Sequence, residues 1–309
     1  MNIGILCNSK LCIPSVQALV QMGHKVSMGL PVEVTEDRHE IEQFAYQFSI
    51  SLTKLKKEGL DSDLIFWKER NSLENIFVIT FPYILSANLI ASIRIDIINF
   101  HFAPLPQYKG AQPAFWLIKN GEKSGGLTIH LITEKIDGGD IIHFEPYTLA
   151  DTETYHSYLN NVAFLNANII QKLMNKIALK SWKNSLKKQD TSLSVYYPRP
   201  QLNDIRINWE TMEAEEIERL CRACNPWNKG AIAVLYQQAI KLVEVNVLPF
   251  SAKQEPAGTL VRIKNTNRLA VSCINNKYLD INIAYNEQLG FYSNSRLSQM
   301  GLKEGMSLE

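Results

Sequence analysis

The residues best suited to chemistry are Asn99 and His101, which follow an apolar run that ends at Ile98. Such a run predicts a buried strand, and the polar residues mark its carboxyl end. Because side chains two apart on a strand share a face, the amide and the imidazole would lie side by side. An amide N–H and a protonated imidazole donate to a developing oxyanion, whereas a neutral imidazole accepts a proton from an attacking amine. The pair therefore suits acyl transfer.

A second polar segment, Asp137-Gly138-Gly139-Asp140, lies further along the chain. Its glycines allow a tight turn and a close approach of backbone to a ligand, and a carboxylate delivered by such a turn can orient the histidine. Each pattern also has an ordinary explanation. An Asn-x-His pair on a strand is typical of a structural hydrogen bond, and Asp-Gly-Gly-Asp is typical of a simple turn.

Both segments belong to an ordered set of motifs. The set is Asn99-x-His101, Pro104-Leu105-Pro106-x-Tyr108-Lys109-Gly110, Pro113, Asn120-Gly121-Glu122, Gly126-x-Thr128-x-His130 and Asp137-x-Gly139-Asp140-Ile141. It resembles the 10-formyltetrahydrofolate-dependent formyltransferase family, which includes methionyl-tRNA formyltransferase and the sugar-nucleotide N-formyltransferases. The resemblance implies that Asn99, His101 and Asp137 form the catalytic triad. One departure is visible, because the usual Ser-Leu-Leu-Pro reads Ala103-Pro104-Leu105-Pro106 and lacks the hydroxyl.

Composition limits the possible functions. The chain has 309 residues and a net charge of +1, so its overall charge favours neither nucleic acid nor an anionic membrane. Of its five cysteines only Cys221 and Cys224 are close in sequence, which argues against a metal site and suggests free thiols in a reducing cytoplasm. No apolar run is long enough to span a membrane, and no signal peptide is apparent. We therefore expect a cytoplasmic protein without a metal.

The first part of the chain has the pattern of a Rossmann-like unit. A strand over residues 2–7, a helix over 13–20 and a strand over 24–30 follow one another. The connection from Asn8 to Cys12 lacks the G-x-G-x-x-G fingerprint, so a dinucleotide has no glycine cradle there. An NAD-linked enzyme is disfavoured.

A buried strand is also predicted over 76–81, and the resemblance implies that the backbone after it receives the pterin ring of the folate co-substrate. The folate-binding residues implied in this way are Phe81, Pro82, Tyr83, Ile84, Gly139 and Asp140. Alternatives stay open, since the first four also suit a plain core strand and loop, and Asp140 also suits a brace for its own turn. His130 can approach a substrate, but we favour a histidine with a structural role.

The chain is expected to be of the α/β class with two domains. A long helix is predicted over 153–180, and a basic, proline-punctuated stretch follows it. Asn225-Pro226-Trp227 resembles the signature that opens the family's C-terminal domain, and short alternating strands beyond it suit a small OB-like barrel. The predicted organisation is a Rossmann-like formyltransferase catalytic domain over 1–185, a linker over 186–204 and a C-terminal OB-like β-barrel domain over 205–309.

The predicted reaction moves the formyl group of 10-formyltetrahydrofolate to an acceptor amine. Segment 30–40 is short and mostly acidic where the tRNA-specific relatives carry a basic loop, so tRNA is disfavoured. We therefore expect a small-molecule acceptor, the amino group of a nucleotide-linked amino sugar. The alternatives are an amine or hydroxylamine of a peptide natural product, methionyl-tRNA, and water, which would make the protein a formyltetrahydrofolate hydrolase. The barrel domain can serve as a lid, as the surface of a homodimer or as a relic without a present role.

Overall fold

The computed structural model describes residues 1–179, 181–249 and 255–309. The chain folds as two units, and each unit is built from three separate stretches of the sequence. The first unit comprises Met1–Gly110, Ser124–Thr148 and Leu159–Tyr197, and the second comprises Ala111–Lys123, Leu149–Tyr158 and Pro198–Glu309. Most of the segment predicted as a linker, up to Tyr197, thus lies in the first unit.

The strands of the first unit are β1 (Asn2–Cys7), β2 (Lys25–Pro31), β3 (Ser51–Leu55), β4 (Asn75–Ile79), β5 (Asp96–His101), β6 (Lys109–Gly110), β7 (Ser124–Leu131), β8 (Ile141–Thr148) and β9 (Tyr196–Tyr197). Within the described residues, seven of them form one sheet in the order β3-β2-β1-β4-β5-β7-β8, and β6 pairs separately with β9. Strands β1 to β5 run parallel, whereas β7 and β8 run antiparallel to their neighbours. The predicted Rossmann-like α/β architecture is confirmed.

The α-helices are α1 (Ile13–Gln21), α2 (Arg38–Gln47), α3 (Leu60–Arg70), α4 (Ala87–Ser92), α5 (Pro113–Lys119), α6 (Tyr155–Ile177), α7 (Leu202–Ile205) and α8 (Ala214–Ala223). The predicted helix over 153–180 corresponds to α6, and the prediction's last residue, Lys180, lies outside the described residues. In the described ranges we find no helix with the length and apolar character needed to cross a membrane.

The core of the first unit explains why its central strands are apolar throughout. From Ile3 to Cys7 the side chains of β1 are fully buried, as expected for a parallel strand covered on both faces. Trp67 of α3 packs so closely on Gly4 that a Cβ atom there would lie 2.7 Å from the indole ring. This close packing holds α3 against β1 in the sheet. The polar residues Asn99 and His101 lie at the carboxyl edge of the same sheet.

The second unit contains β10 (Ala231–Leu235), β11 (Gln238–Leu248), β12 (Leu260–Arg262), β13 (Leu269–Ser272), β14 (Tyr278–Asn286) and β15 (Gly290–Ser293). In the described part of the chain these strands form a curled antiparallel half-barrel in the order β10-β11-β14-β13-β12, with β15 on β14. Helix α5 packs against α8, and Trp227 of the predicted signature meets Phe115 edge to face at 5.9 Å. The signature tryptophan therefore has a packing role within this unit.

Candidate active site

Strand β5 carries Asn99 and His101 at the carboxyl edge of the first unit's sheet. It lies between β4 and β7, where Asn99 is opposite Val78 on one side and His130 on the other, and His101 is opposite Thr128. Asn99 and His101 both approach the same carboxylate oxygen, as expected for residues two apart on a strand. The side-by-side arrangement read from the sequence is therefore present.

That carboxylate belongs to Asp137, on the loop between β7 and β8. Its Oδ1 lies 3.5 Å from Asn99 Nδ2, 3.8 Å from His101 Nδ1 and 3.6 Å from His130 Nε2. Its Oδ2 accepts a hydrogen bond of 2.8 Å from the backbone N–H of Gly110. The structure thus brings the three predicted catalytic residues together around one carboxylate.

The tautomer of His101 follows from its hydrogen bond. The ring is 6% exposed, and Nε2 lies 2.6 Å from the carbonyl oxygen of Tyr108. A carbonyl oxygen only accepts, so Nε2 carries the proton and Nδ1, which faces Asp137, carries the lone pair. Burial lowers the pKa of His101, and the charge of Asp137 offsets this only in part. His101 is therefore a neutral base at neutral pH, with Nδ1 as its basic atom.

Asp137 stays ionised beside this base. Burial alone would raise its pKa, but the positive charge that His101 carries once it is protonated in acid, the contact with His130 and the N–H of Gly110 outweigh burial and lower the pKa of Asp137 to about 2. The side chain is only 13% exposed. A proton arriving on His101 Nδ1 would therefore meet a negative charge that solvent screens weakly.

His130 is a site residue that the sequence favoured as structural. It is 2% exposed, and its Nδ1 donates to the carbonyl oxygen of Leu131 at 2.8 Å. Its Nε2 is then free to accept a hydrogen bond of 3.1 Å from Asn99 Nδ2. The histidine is thus both buried with its hydrogen bonds made and in contact with the triad. Its contact with the triad follows from the register of β5 against β7, which places His130 opposite Asn99. The sequence carries no local pattern for this pairing.

Gln189 is a second residue that the sequence did not single out. Its side-chain Nε2 donates to the backbone oxygens of Asp137 at 2.8 Å and Gly139 at 2.7 Å. It lies in the segment predicted as a linker, about fifty residues after the loop it contacts. No motif in the sequence indicates this contact.

The residues predicted to bind folate after β4 lie at an open cavity. Pro82, Tyr83 and Ile84 line a cavity of about 930 Å³ at the carboxyl edge of the sheet, whereas Phe81 packs its ring edge-on against Tyr83 at 5.1 Å. The Tyr83 hydroxyl donates to the carboxylate of Glu33. Partial burial and that carboxylate together raise the pKa of Tyr83 to about 12. None of the three triad residues lines this cavity.

Main-chain groups at this cavity are available for a ligand. Within the described residues, the backbone N–H groups of Phe81, Tyr83 and Ile84 donate to no protein acceptor.

The other two residues predicted to bind folate, Gly139 and Asp140, lie on the Asp137 loop. Gly139 leaves no space for a side chain, because a Cβ atom there would lie 1.9 Å from the carbonyl oxygen of Leu131. The Asp140 carboxylate has no hydrogen-bond or ion-pair partner in the described part of the chain, so its side chain does not brace the turn, whereas its backbone oxygen accepts from the N–H of Leu131 at 3.0 Å. No group of His, Cys, Asp and Glu in the described ranges is placed to hold a metal ion.

Two family models match the chain. The model described as "Formyl transferase" covers residues 27–174, and the model described as "Formyl transferase, C-terminal domain" covers residues 201–287. Together they span most of the sequence. The chain thus belongs to the formyl transferase family. The resemblance drawn from the sequence and the predicted class of enzyme are both confirmed.

Individual relatives differ in what they act on. The methionyl-tRNA formyltransferase of Thermodesulfovibrio yellowstonii is 28% identical, with 83% of this chain and 82% of that protein covered. The enzyme of the same name from Wigglesworthia glossinidia brevipalpis is also 28% identical, and the match spans 66% of this chain but only 60% of that protein. Among solved structures, the sugar 3N-formyl transferase WlaRD, crystallised with dTDP and 5-N-formyl-THF, superposes with a TM-score of 0.64 at 19% identity, covering 91% of this chain and 96% of that chain.

Proposed function

We propose that the protein transfers the formyl group of 10-formyltetrahydrofolate to the amino group of a nucleotide-linked amino sugar. The observation that carries the formyl transfer is the convergence of Asn99, His101 and Asp137 on the carboxyl edge of the sheet, with Asp137 Oδ1 within 4 Å of both partners. A buried neutral base, an ionised carboxylate and an amide donor are the groups that attack of an amine on a formyl carbon requires.

His101 moves the proton in the proposed reaction. The acceptor amine forms a bond to the formyl carbon and gives up a proton to Nδ1 of His101, since Nε2 is already protonated. The resulting imidazolium is stabilised by Asp137, 3.8 Å away. The same proton then passes to N10 of the folate as the C–N10 bond breaks. The products are the N-formylated acceptor and tetrahydrofolate, so no further reactant is needed.

Asn99 stabilises the charge that develops on the formyl oxygen. One hydrogen of its amide is held by His130 at 3.1 Å, which fixes the plane of the amide. The other faces Asp137 at 3.5 Å, a long contact that an oxyanion can replace. A single oxyanion donor is typically worth about 3 kcal/mol, or a hundredfold or more in rate. His101 can add a second donor only after Nδ1 has taken the proton.

The residues after β4 suit the folate co-substrate, which supplies the formyl group. Unused main-chain N–H groups at Phe81, Tyr83 and Ile84 beside a cavity of about 930 Å³ are what a planar heterocycle with several ring nitrogens would use. The name of the WlaRD structure, which includes 5-N-formyl-THF, supports this assignment. We assign Phe81 to Ile84 to folate binding on these grounds. Gly139 and Asp140 do not line this cavity, and their assignment to folate binding rests on the resemblance of the sequence alone.

Charge near the carboxyl edge argues for a small acceptor. Arg38 is 7% exposed and donates to the backbone oxygens of Pro31 and Glu33, so it is directed into the protein. Lys10 is paired with Glu40 at 2.9 Å and Asp37 at 3.7 Å. Arg38 and Lys10 are therefore occupied by the protein's own groups, whereas binding a tRNA backbone needs clustered free cations. The description of WlaRD as a sugar 3N-formyl transferase supports an amino sugar.

Methionyl-tRNA is the second candidate acceptor, because the relatives from both Thermodesulfovibrio and Wigglesworthia are named for it. The test is to follow tetrahydrofolate release by the purified protein with 10-formyltetrahydrofolate and one acceptor at a time. The acceptors are none, charged initiator tRNA, amino sugars on nucleotide carriers, and a peptide hydroxylamine. Release stimulated by a sugar amine supports the proposal. Stimulation by the charged tRNA alone would show that methionyl-tRNA is the acceptor and that the amino sugar is not. Release of tetrahydrofolate without any acceptor would show that the protein is a hydrolase.

The matched control for this assay is His101→Ala. Loss of the base should lower turnover at least about a hundredfold while the protein still binds 5-formyltetrahydrofolate, because the cavity after β4 does not include His101. Full turnover by this variant would contradict the role assigned to His101.

A further inference from the structure

The loop that delivers Asp137 has a backbone conformation that needs support. Asp137 has a φ of +47°, in the left-handed region that costs a non-glycine residue on the order of 1 kcal/mol or more. Such a conformation persists only where surrounding contacts enforce it. The neighbouring Gly139 is pressed against the carbonyl oxygen of Leu131, which limits how the loop can shift on that side.

The side chain of Gln189 supplies contacts on the loop's backbone. Its two amide hydrogens are both used, one on the carbonyl oxygen of Asp137 at 2.8 Å and one on that of Gly139 at 2.7 Å. The opposite orientation of the amide would place Oε1 against two carbonyl oxygens, so the hydrogen-bond network determines which atom is the nitrogen. Oε1 is buried and accepts no hydrogen bond within the described ranges. The amide therefore interacts with the protein only as a double donor to this loop.

Gln189 is itself fixed by the chain on both sides of it, a segment that we term the strap (residues 186–197). Lys187 exchanges two backbone hydrogen bonds, of 2.8 and 2.9 Å, with Ile141 at the start of β8. Further along, β9 pairs with β6, and the carbonyl oxygen of Tyr197 is so close to Gly110 that a Cβ atom there would lie 2.1 Å from it. The strap is therefore fastened at both ends.

The strap thereby reaches Asp137 by two routes. Through Gln189 it holds the backbone oxygen of Asp137, and through β9 it holds Gly110, whose N–H donates to Asp137 Oδ2 at 2.8 Å. We propose that Gln189 is a positioning residue that keeps the Asp137 carboxylate directed at His101. It acts through Asp137 and needs no contact with substrate. This role rests on the proposed formyl transfer.

The test compares Gln189→Met, which keeps the length of the side chain but donates no hydrogen bond, with Gln189→Asn, which keeps the amide but is one methylene shorter. We expect kcat to fall about 10- to 100-fold in both variants, the range typical of groups that orient a metal ligand. The matched control is Gln201→Met, which removes a side chain that donates to the carbonyl oxygen of Arg199 in the second unit. It should leave kcat unchanged.

A second readout does not depend on activity. Titration of the His101 ring by NMR, assigned with His101→Ala, should give a lower pKa in both Gln189 variants than in the wild type. The charge of Asp137 raises that pKa, and a displaced carboxylate raises it less. Wild-type kcat and an unmoved His101 titration would overturn the proposal, and so would loss of the native fold in both variants, since the contact would then be structural. If the wild type transfers no formyl group, the proposed reaction fails while the titration still tests Gln189.

Discussion

The charge of Asp137 can be removed with little change of shape by the substitution Asp137→Asn. The new amide oxygen can still accept from the N–H of Gly110, which Asp137 Oδ2 does at 2.8 Å. What the variant lacks is the negative charge 3.8 Å from Nδ1 of His101. We expect the protein to fold and to bind 5-formyltetrahydrofolate as the wild type does, and to fail in the proton-transfer step.

The size of the effect follows from that distance. An imidazolium on His101 and a carboxylate on Asp137 at 3.8 Å attract by about 4 kcal/mol at an effective dielectric constant near 20. Since each 1.4 kcal/mol is a factor of ten, losing this attraction when the proton arrives should slow the reaction about a thousandfold. Burial of both side chains keeps solvent from screening the pair.

The measurement is kcat/KM against pH for the wild type and for Asp137→Asn. Asp137 raises the pKa of His101, so removing its charge should lower that pKa and move the acid limb of the profile to lower pH, while the plateau falls. The two shifts have one physical cause and must occur together. A plateau loss below about tenfold, or an acid limb that moves to higher pH, would refute the reasoning that Asp137 stabilises protonated His101.

Three further outcomes are expected. His130→Ala should lower kcat about tenfold with an intact fold, because Asn99 loses its 3.1 Å acceptor; steady-state kinetics check this. Gly139→Ala should destabilise the protein by at least about 2 kcal/mol in urea unfolding, since its Cβ would meet the oxygen of Leu131. Because the pKa of Asp137 is lowered to about 2, protonation of this carboxylate should remove about 2 kcal/mol of stability from the wild type as the pH falls from 5 towards 2 in urea unfolding. Asp137→Asn should lack this contribution and keep only the loss that protonation of the buried His101 causes.

The parts of the site that could be predicted from sequence depend on local rules. Asn99 and His101 are two residues apart at the end of an apolar strand, and that spacing alone places both on one face. Asp137 could be assigned by resemblance, and its glycine-rich turn was consistent with a carboxylate brought close to other groups. The Rossmann-like order and the small antiparallel unit followed from alternation of apolar segments with turns.

The remaining parts depend on pairings between distant residues. His130 has the alternation of an ordinary strand residue, and only the register of β5 against β7 shows that it faces Asn99. Gln189 follows a lysine-rich stretch that reads as a solvated linker, and nothing local indicates that its amide spans two carbonyl groups of a loop fifty residues earlier. Contacts between residues far apart in sequence are not determined by local propensity, and forming them costs loop-closure entropy. A single sequence therefore carries no periodic pattern that would indicate them.

The Asp137 carboxylate serves several partners at once, which changes how any substitution around it is interpreted. One oxygen pins the loop to the N–H of Gly110, and the other is shared by Asn99, His101 and His130 within 3.8 Å. Displacing the carboxylate therefore has two effects together. It changes the alignment of the Asn99 amide, and it moves the negative charge away from His101. The effects of changes at Asn99, His101 and Asp137 should not add, because each removes part of what the others need. The site works as one unit whose geometry is set at Asp137.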